Sequence, residues 1–263
     1  MDVLTPRSLD EALALRAEHP GAVPIQGGTD VMVALNFDRA RPEVVLNLNE
    51  VAELRGWSRE NGTMRLGAGL TYAEAMDGAV GKALPALAEA SRTVGSPQIR
   101  NRGTIGGNLG TASPAGDALP PLLVEGARVE LASVRGVREL ALEDFLLGVK
   151  RNALVDDELI VTLLVEASGQ PQTFMKIGPR NAMVIAVCSL ALVADRERGE
   201  LRAAFGSSAP GVPLVAAPVE NAATFPEQVA EAASPIDDVR GTAAYRRHAL
   251  RVLTQRALDR CLA

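Results

Sequence analysis

The 263-residue sequence predicts an α+β protein in two parts. Two observations carry that prediction. Short β-prone runs alternate with capped helical segments as far as the polar break "EASGQPQ", near Ala167–Gln172. Beyond that break, "QTFMKIG", "VIAVCSLALVA" and "ELRAAFGS" follow one another as an antiparallel set of strands.

The elements read in order as follows. "SLDEALALRAEH" opens on Ser8 with Glu11 three residues on, a capping box. Leu9, Ala12, Leu13 and Arg16 keep helical spacing, and Pro20-Gly21 ends the helix. "AVPIQ" is a short strand broken by "GGTD", and "EVVLNL" (Glu43–Leu48) is the next. A strand, a tight glycine turn, a connection and a second strand suggest parallel pairing. "TMRLGAG" is a strand running into glycines, and "TYAEAM" starts a helix under a second capping box, Thr71 and Glu74. "KALPALAEASRTV" is a further helix with Pro85 near its first turn.

From Gly95 to Asp117 no helical or strand period is visible, and the stretch reads as a long loop. Loops of that length in compact domains are usually functional. "TIGGNLGTASPAGDALPPLL" (Thr104–Leu123) carries no charge except Asp117. "ARVELAS", "RGVREL" and "DELIVTLLVEA" are strands, with "LEDFLLG" a short helix between them. A Pro/Ala-rich stretch, "SSAPGVPLVAAPVENAA", follows the last strand of the second set. The terminal helix places Leu250, Leu253, Ala257 and Cys261 on one face and spreads Arg246, Arg247, Arg251 and Arg256 over the rest.

Composition narrows the function classes. Apolar residues at 47% and charged residues at 22% are ordinary for a globular chain. Net charge is −5 with no basic block, so no nucleic-acid role is expected. No run of about 18 apolar residues exists, so no membrane span is expected. The N-terminus lacks a signal-peptide pattern, and a cytoplasmic protein is expected. Cys188 and Cys261 stand far apart and read as isolated buried thiols. They are too few to hold an iron–sulfur cluster. His19 and His248 are likewise isolated, and no metal site is expected.

Two glycine turns carry the chemistry: "IQGGTD" (Ile25, Gln26, Gly27, Gly28, Thr29, Asp30) and "TIGGN" (Thr104, Ile105, Gly106, Gly107, Asn108). Glycine allows close backbone approach to a ligand. Successive N–H groups in such a turn form a nest for anionic oxygens, such as those of a pyrophosphate. Thr29, Thr104 and Asn108 add side-chain donors. Neither turn is a P-loop or a Rossmann fingerprint, and "GAGLTY" (Gly67–Tyr72) reads as a strand-to-helix turn. Asp117 suits either a pair of ribose hydroxyls or the cap of the helix "ALPPLLV". Asp30 reads as a helix cap, because a carboxylate aimed at phosphate is repelled. Arg100 and Arg102 read as surface charge, with cofactor steering or pairing with acids as the alternatives. Lys176 reads either as strand-edge solubility or as a site residue. No Ser-His-Asp, H-E-x-x-H or Cys-His set appears. A nucleotide-type site without a catalytic dyad suits a protein whose cofactor carries the chemistry.

"IQGGTD", "QIRNRGTIGGNLGTASPAGDALPPLL", "FMKIGPRNAMVIAVCSLAL" and the ending "PIDDVRGTAAYRRHALRVLTQRAL" together resemble the FAD-binding medium subunit of the molybdenum hydroxylases, the xanthine and carbon monoxide dehydrogenase family. The resemblance runs over essentially the whole chain. It implies a two-lobed FAD-binding domain of the vanillyl-alcohol-oxidase (PCMH) type over residues 1–168, with a small α/β lobe to about residue 55 and a larger mixed lobe after it. A C-terminal domain of antiparallel sheet and helices over 169–263 completes the implied architecture.

It also implies noncovalent FAD, with molybdopterin and 2Fe–2S clusters on two partner subunits, large and small, and NAD⁺ or another oxidant as acceptor. The implied pyrophosphate loops are Ile25 to Asp30 and Thr104 to Asn108, with Thr111 just beyond. Asp117 is the acid at the nucleotide end, Leu159–Ile160 a backbone contact near the flavin, and Lys176 the basic strand residue. Val94, Gln26 and Met175 stand where relatives carry, respectively, a larger apolar or aromatic side chain, an alanine and a tyrosine. Xanthine-dehydrogenase-type relatives look nearest. A carbon monoxide, aromatic or aldehyde hydroxylase subunit is the alternative within the family. A self-contained FAD oxidoreductase of the same fold and a nonredox nucleotide-binding module are the alternatives outside it.

Overall fold

A computed structural model describes residues 1–263. The chain opens with β1 (Asp2–Leu4) and α1 (Leu9–Glu18), then β2 (Val23–Ile25), α2 (Val31–Asn36) and β3 (Val44–Asn47). The three strands form a parallel sheet in the order β1-β3-β2. The Ser8 hydroxyl accepts the Glu11 N–H, as its spacing predicts. The Glu11 carboxylate, however, takes the N–H of Arg7 at 2.7 Å instead of that of Ser8, so only half of the capping box forms. Ala12 and Leu13 of α1 pack on Leu46 and Leu48, and this cluster reaches Leu159 and Val161 of the neighbouring sheet. Asp30 precedes α2, but its side chain makes no cap bond, contrary to the sequence reading.

β4 (Trp57–Glu60) and β5 (Thr63–Gly67) form the next hairpin. Six helices follow: α3 (Tyr72–Ala75), α4 (Gly78–Ala83), α5 (Pro85–Thr93), α6 (Pro97–Arg100), α7 (Ile105–Thr111) and α8 (Leu119–Val124). Thr71 and Glu74 make the full capping box. The helix expected over "KALPALAEASRTV" is divided at Leu84, and Pro85 starts α5 at a position that needs no N–H partner. The stretch expected as an irregular loop contains α6 and α7. Its glycines have poor helix propensity. Tertiary bonds override that preference: the Ile105 N–H donates to the Leu70 carbonyl and the Gly106 N–H to that of Ala68, each at 2.9 Å.

β6 (Arg128–Ser133), β7 (Gly136–Ala141), α9 (Leu142–Phe145), the small ribbon of β8 (Leu146–Gly148) with β9 (Arg151–Asn152), and β10 (Leu159–Val165) come next. They complete a five-stranded antiparallel sheet in the order β4-β5-β10-β6-β7. Every residue of the central β10 is buried, which explains its near-continuous apolar sequence "LIVTLLV" better than one-sided alternation would.

β11 (Gln172–Ile177), β12 (Cys188–Asp195), β13 (Glu200–Gly206) and β14 (Leu214–Pro218) form a four-stranded antiparallel sheet in sequence order. β14 lies inside the Pro/Ala-rich stretch, where no strand was expected. Helices α10 (Phe225–Glu231) and α11 (Ala243–Leu262) cover one face. The other face meets α5 and α8, so Phe174, Ala191 and Val193 share a core with Leu87 and Leu122.

Leu250, Leu253, Ala257 and Cys261 are buried as their spacing predicts. Arg246 departs from its expected exposed face: it is only 1% exposed. Its guanidinium donates to the Val187 carbonyl at 2.9 Å, to the Ser207 carbonyl, and to Asp238 at 2.6 Å. Both thiols are free and buried, and burial pushes Cys188 up to about 12 and Cys261 to about 11. No helix is long and apolar enough to cross a membrane.

Asp238 accepts from the Arg240 guanidinium and N–H and from Arg246, which together lower its pKa to about 2. A carboxylate held below its unfolded value of roughly 4 stabilises the fold above that pH, and the contribution fades as pH falls through the interval below it. Thermal melts of the wild type between pH 5 and pH 2 are therefore expected to show a steeper acid loss than those of Asp238→Asn, which also melts lower at neutral pH.

A groove between two glycine bends

A cavity of about 350 Å³ runs between the parallel sheet and the five-stranded sheet. This falls within the range of small-molecule sites. Its walls come from four places: the bend after β2, the N-terminal end of α7, the start of β10, and α1 with the turns beside it. Ile25, Gln26, Gly27, Gly28, Thr29 and Asp30 line it, as do Thr104, Gly106, Gly107, Asn108, Thr111, Leu159 and Ile160. Two glycine bends some eighty positions apart in sequence thus face one cavity.

The bends touch. A Cβ on Gly27 would stand 2.3 Å from the Arg102 carbonyl oxygen, so only glycine lets the first bend close on the second. Arg102 reinforces the contact, donating to the Gln26 carbonyl at 3.4 Å and to Asn49 at 3.2 Å, a tie that the surface-charge reading missed. Arg100 turns back onto the carbonyls of Val94 and Gly95. The Gln26 carboxamide rests on Gly69, where a Cβ would stand 2.2 Å from its nitrogen. Gly69, the second glycine of "GAG", thereby seats a side chain from the other wall.

The two bends differ in their free amides. None of the N–H groups of Gly27, Gly28, Thr29 and Asp30 donates to an acceptor of the chain. They make an open nest, with Gly28 at φ +72°. At the second bend the expectation of bare amides fails. Ile105 and Gly106 donate to Leu70 and Ala68, and Gly107 donates to the Thr104 hydroxyl at 3.0 Å. Thr104 is 4% exposed and serves as the helix cap. What this bend offers is shape. Gly106 packs so close to Ala68 that a Cβ would lie 2.6 Å from it, whereas exposed Gly107 presents a smooth wall. The Asn108 Oδ1 is buried without a partner.

Four expected site residues do not line the cavity. Ile105 is fully buried in the core. Val94 packs against the main core, while Asp117 and Lys176 form a separate cluster: the Lys176 ammonium donates to Asp117 at 2.5 Å and to the Thr93 carbonyl, next to Val94, at 3.2 Å. The two side chains are 5% and 7% exposed, so Lys176 is no solubilising strand-edge residue, and the helix after Asp117 is not capped by its side chain. Burial pushes the Asp117 carboxyl upward against the pull of Lys176, and the second carboxylate oxygen is buried without a partner. Tyr72 stands between cavity and cluster. It lines the cavity, and burial, then Asp117, then Asp30 raise the pKa of its hydroxyl. Sequence reasoning also passed over Arg16, Leu48 and Glu158, which line the cavity. Arg16 stood in the helix pattern, but nothing local marked it as facing a cavity.

Open amides at a glycine bend, a close-packed second bend opposite, and no acid–base or nucleophile set define a nucleotide-cofactor protein. Comparison with known proteins narrows this class: residues 1–165 match the family described as the FAD binding domain in molybdopterin dehydrogenase, and the chain belongs to that family. It is 29% identical to the xanthine dehydrogenase FAD-binding subunit of Escherichia coli O157:H7 over 97% of this chain and 94% of that one. It is 35% identical to the nicotinate dehydrogenase FAD-subunit of Eubacterium barkeri over 71% of this chain and 66% of that one. The fold superimposes on a carbon monoxide dehydrogenase structure from Hydrogenophaga pseudoflava with TM-score 0.92 and 26% identity, covering all of this chain and 97% of that chain. The chain is thus an FAD-binding medium subunit of the molybdenum hydroxylase family. The unpartnered amides at Gly27–Asp30 and the orphaned Asn108 oxygen fit such a cofactor, because each is a buried or walled polar group lacking a protein partner.

Proposed function

We propose that this chain is the acceptor-side subunit of a xanthine-dehydrogenase-type complex. Electrons would arrive from 2Fe–2S clusters on a small partner, drawn from a molybdopterin site on a large partner, and leave to NAD⁺ or another oxidant. FAD, when bound, supplies the redox chemistry. The chain's own residues hold it: the amides of Gly27 to Asp30 bind the pyrophosphate, and Ile25 and Gln26 carry that bend. Thr104, Gly106, Gly107, Asn108 and Thr111 form the opposite wall over the buried Ile105. Leu159 and Ile160 floor the groove, and Asp117 and Lys176 form the polar pair beside it, next to Val94. In this reading residues 1–168 are the cofactor domain and 169–263 a second domain that brings Lys176 to it.

The observation that carries the proposal is the open nest of amides facing a glycine-smoothed wall, in a chain that matches the xanthine dehydrogenase subunit over 97% of its length. Two buried cysteines leave the cluster ligands to another chain. Purification of the native complex tests it. A yellow preparation should bring down one cysteine-rich and one much larger chain, and NAD⁺ should reoxidise its substrate-reduced flavin. A flavin that is never reduced within the complex, or turnover of a small substrate by the isolated chain, refutes the acceptor-side role.

A further inference from the structure

The groove lining contains one residue unlike the others. Val23, Leu48, Leu154 and Leu159 give it apolar surface, and a guanidinium, that of Arg16, lines it as well. Arg16 is 9% exposed. Its Nη1 donates to the Pro20 and Ala22 carbonyls. Its Nε is buried with no partner, and its Nη2, which is not fully buried, donates to no acceptor of the chain. A guanidinium has five N–H groups, and a buried one rarely leaves several unspent. Burial pulls the Arg16 pKa down more than nearby Asp156 and Asp157 raise it, as expected for a cation incompletely compensated. Glu158, beside it in the groove wall, is fully engaged by Arg138 and the Val155 N–H and cannot serve as its partner.

A flat base suits such a place. Apolar walls accept its faces, and ring nitrogens accept N–H groups from the guanidinium. A phosphate suits it less, because Asp156 and Asp157 lie close enough to act on Arg16 and would repel it. The redox ring of a dinucleotide must also stay within reach of two electron partners, whereas the base has only to be held. A guanidinium only 9% exposed fits the second requirement.

We propose that Arg16 is a positioning residue for the purine base, donating from its free Nη2 to a ring nitrogen at the α1 side of the groove. The inference rests on the FAD reading given above and deepens it. It also sets a direction: Leu159 and Ile160 flank the base, and Tyr72 with the Asp117–Lys176 cluster lies toward the flavin. That is the reverse of the order implied by the sequence resemblance.

Flavin affinity tests it, read by fluorescence quenching on the full chain stripped of cofactor. FMN lacks the adenosine half and serves as the internal control. Arg16→Met keeps the length and loses the donors. Its FAD affinity is expected to fall about tenfold, with FMN affinity unchanged. AMP should compete with FAD on the wild type and lose that ability on Arg16→Met. Equal weakening of FAD and FMN would mean that Arg16 merely supports the fold or faces the flavin, and would overturn the proposal, as would no change in either. If Arg16→Met does not fold, Arg16→Lys provides the same comparison, with a smaller selective loss for FAD expected. A wild-type chain that binds neither flavin would instead refute the cofactor reading itself.

Discussion

Gly107→Leu is expected to yield a folded protein that has lost its flavin. The Gly107 Cα is exposed in the groove wall, and the only heavy atom near a Cβ there is the Thr104 hydroxyl, at 2.9 Å. A larger side chain therefore projects into the groove, and within the protein it needs only a small shift of the Thr104 hydroxyl. FAD affinity should fall by a factor on the order of 100, while the melting temperature should stay within a few degrees of wild type. Its neighbour provides the contrast. A side chain on Gly106 meets the Ala68 backbone at 2.6 Å, and Gly106→Val is expected to cost roughly 3 kcal/mol or more of folding free energy. Flavin content and thermal melts measured on both variants separate the two effects. Full flavin retention by Gly107→Leu would show that this wall does not face the cofactor.

The second large effect is expected at the buried ion pair. Lys176→Met leaves the Asp117 carboxylate with no cation at a site where it is 7% exposed. Removing one partner of such a pair typically costs about 3–5 kcal/mol. The pH dependence carries a clear sign. Burial raises the Asp117 pKa in the folded state, and without Lys176 nothing comparable opposes it. The protonated acid is then the form the fold tolerates. Stability of the variant is expected to be best at acid pH and to fall as pH rises through the folded-state pKa. Adding Asp117→Asn removes the charge, and should recover part of the loss and flatten the profile. Urea titrations of the two single variants and the double variant, each at pH 4.5 and pH 7.5, measure this coupling directly. A double variant no more stable than Lys176→Met at the higher pH would contradict it.

Legibility of the fold in the sequence followed how local each determinant is. The Thr71–Glu74 box and the α1 boundary were readable because their partners lie within four residues. β1, β4 and β14 were not: each has three to five residues, and each owes its existence to a neighbouring strand. The helical turn at Ile105–Thr111 escaped because glycine disfavours it locally and the carbonyls of Ala68 and Leu70 impose it from afar. The burial of Arg246 was invisible for a related reason. Its acceptors, at Val187, Ser207 and Asp238, come from three separate turns.

In the groove, the glycine bends were legible as motifs, but their separate contributions were not. Backbone donors at Gly27–Asp30 are free, and those at Ile105–Gly107 are spent, a distinction set by tertiary partners alone. Arg16 shows the opposite failure: a residue counted as part of an amphipathic helix turns out to end its pattern at a cavity.

The spent amides of the second bend have a kinetic implication. Because Leu70, Ala68 and Thr104 already hold Ile105, Gly106 and Gly107, that wall does not need to organise itself around a ligand. The entropy of ordering it is lost during folding, so the apoprotein should meet flavin with half of its surface already in final shape. Adaptation is left to the Gly27–Asp30 side. Hydrogen exchange of those four amides should slow markedly on reconstitution, while that of Ile105 and Gly106 should be slow from the outset.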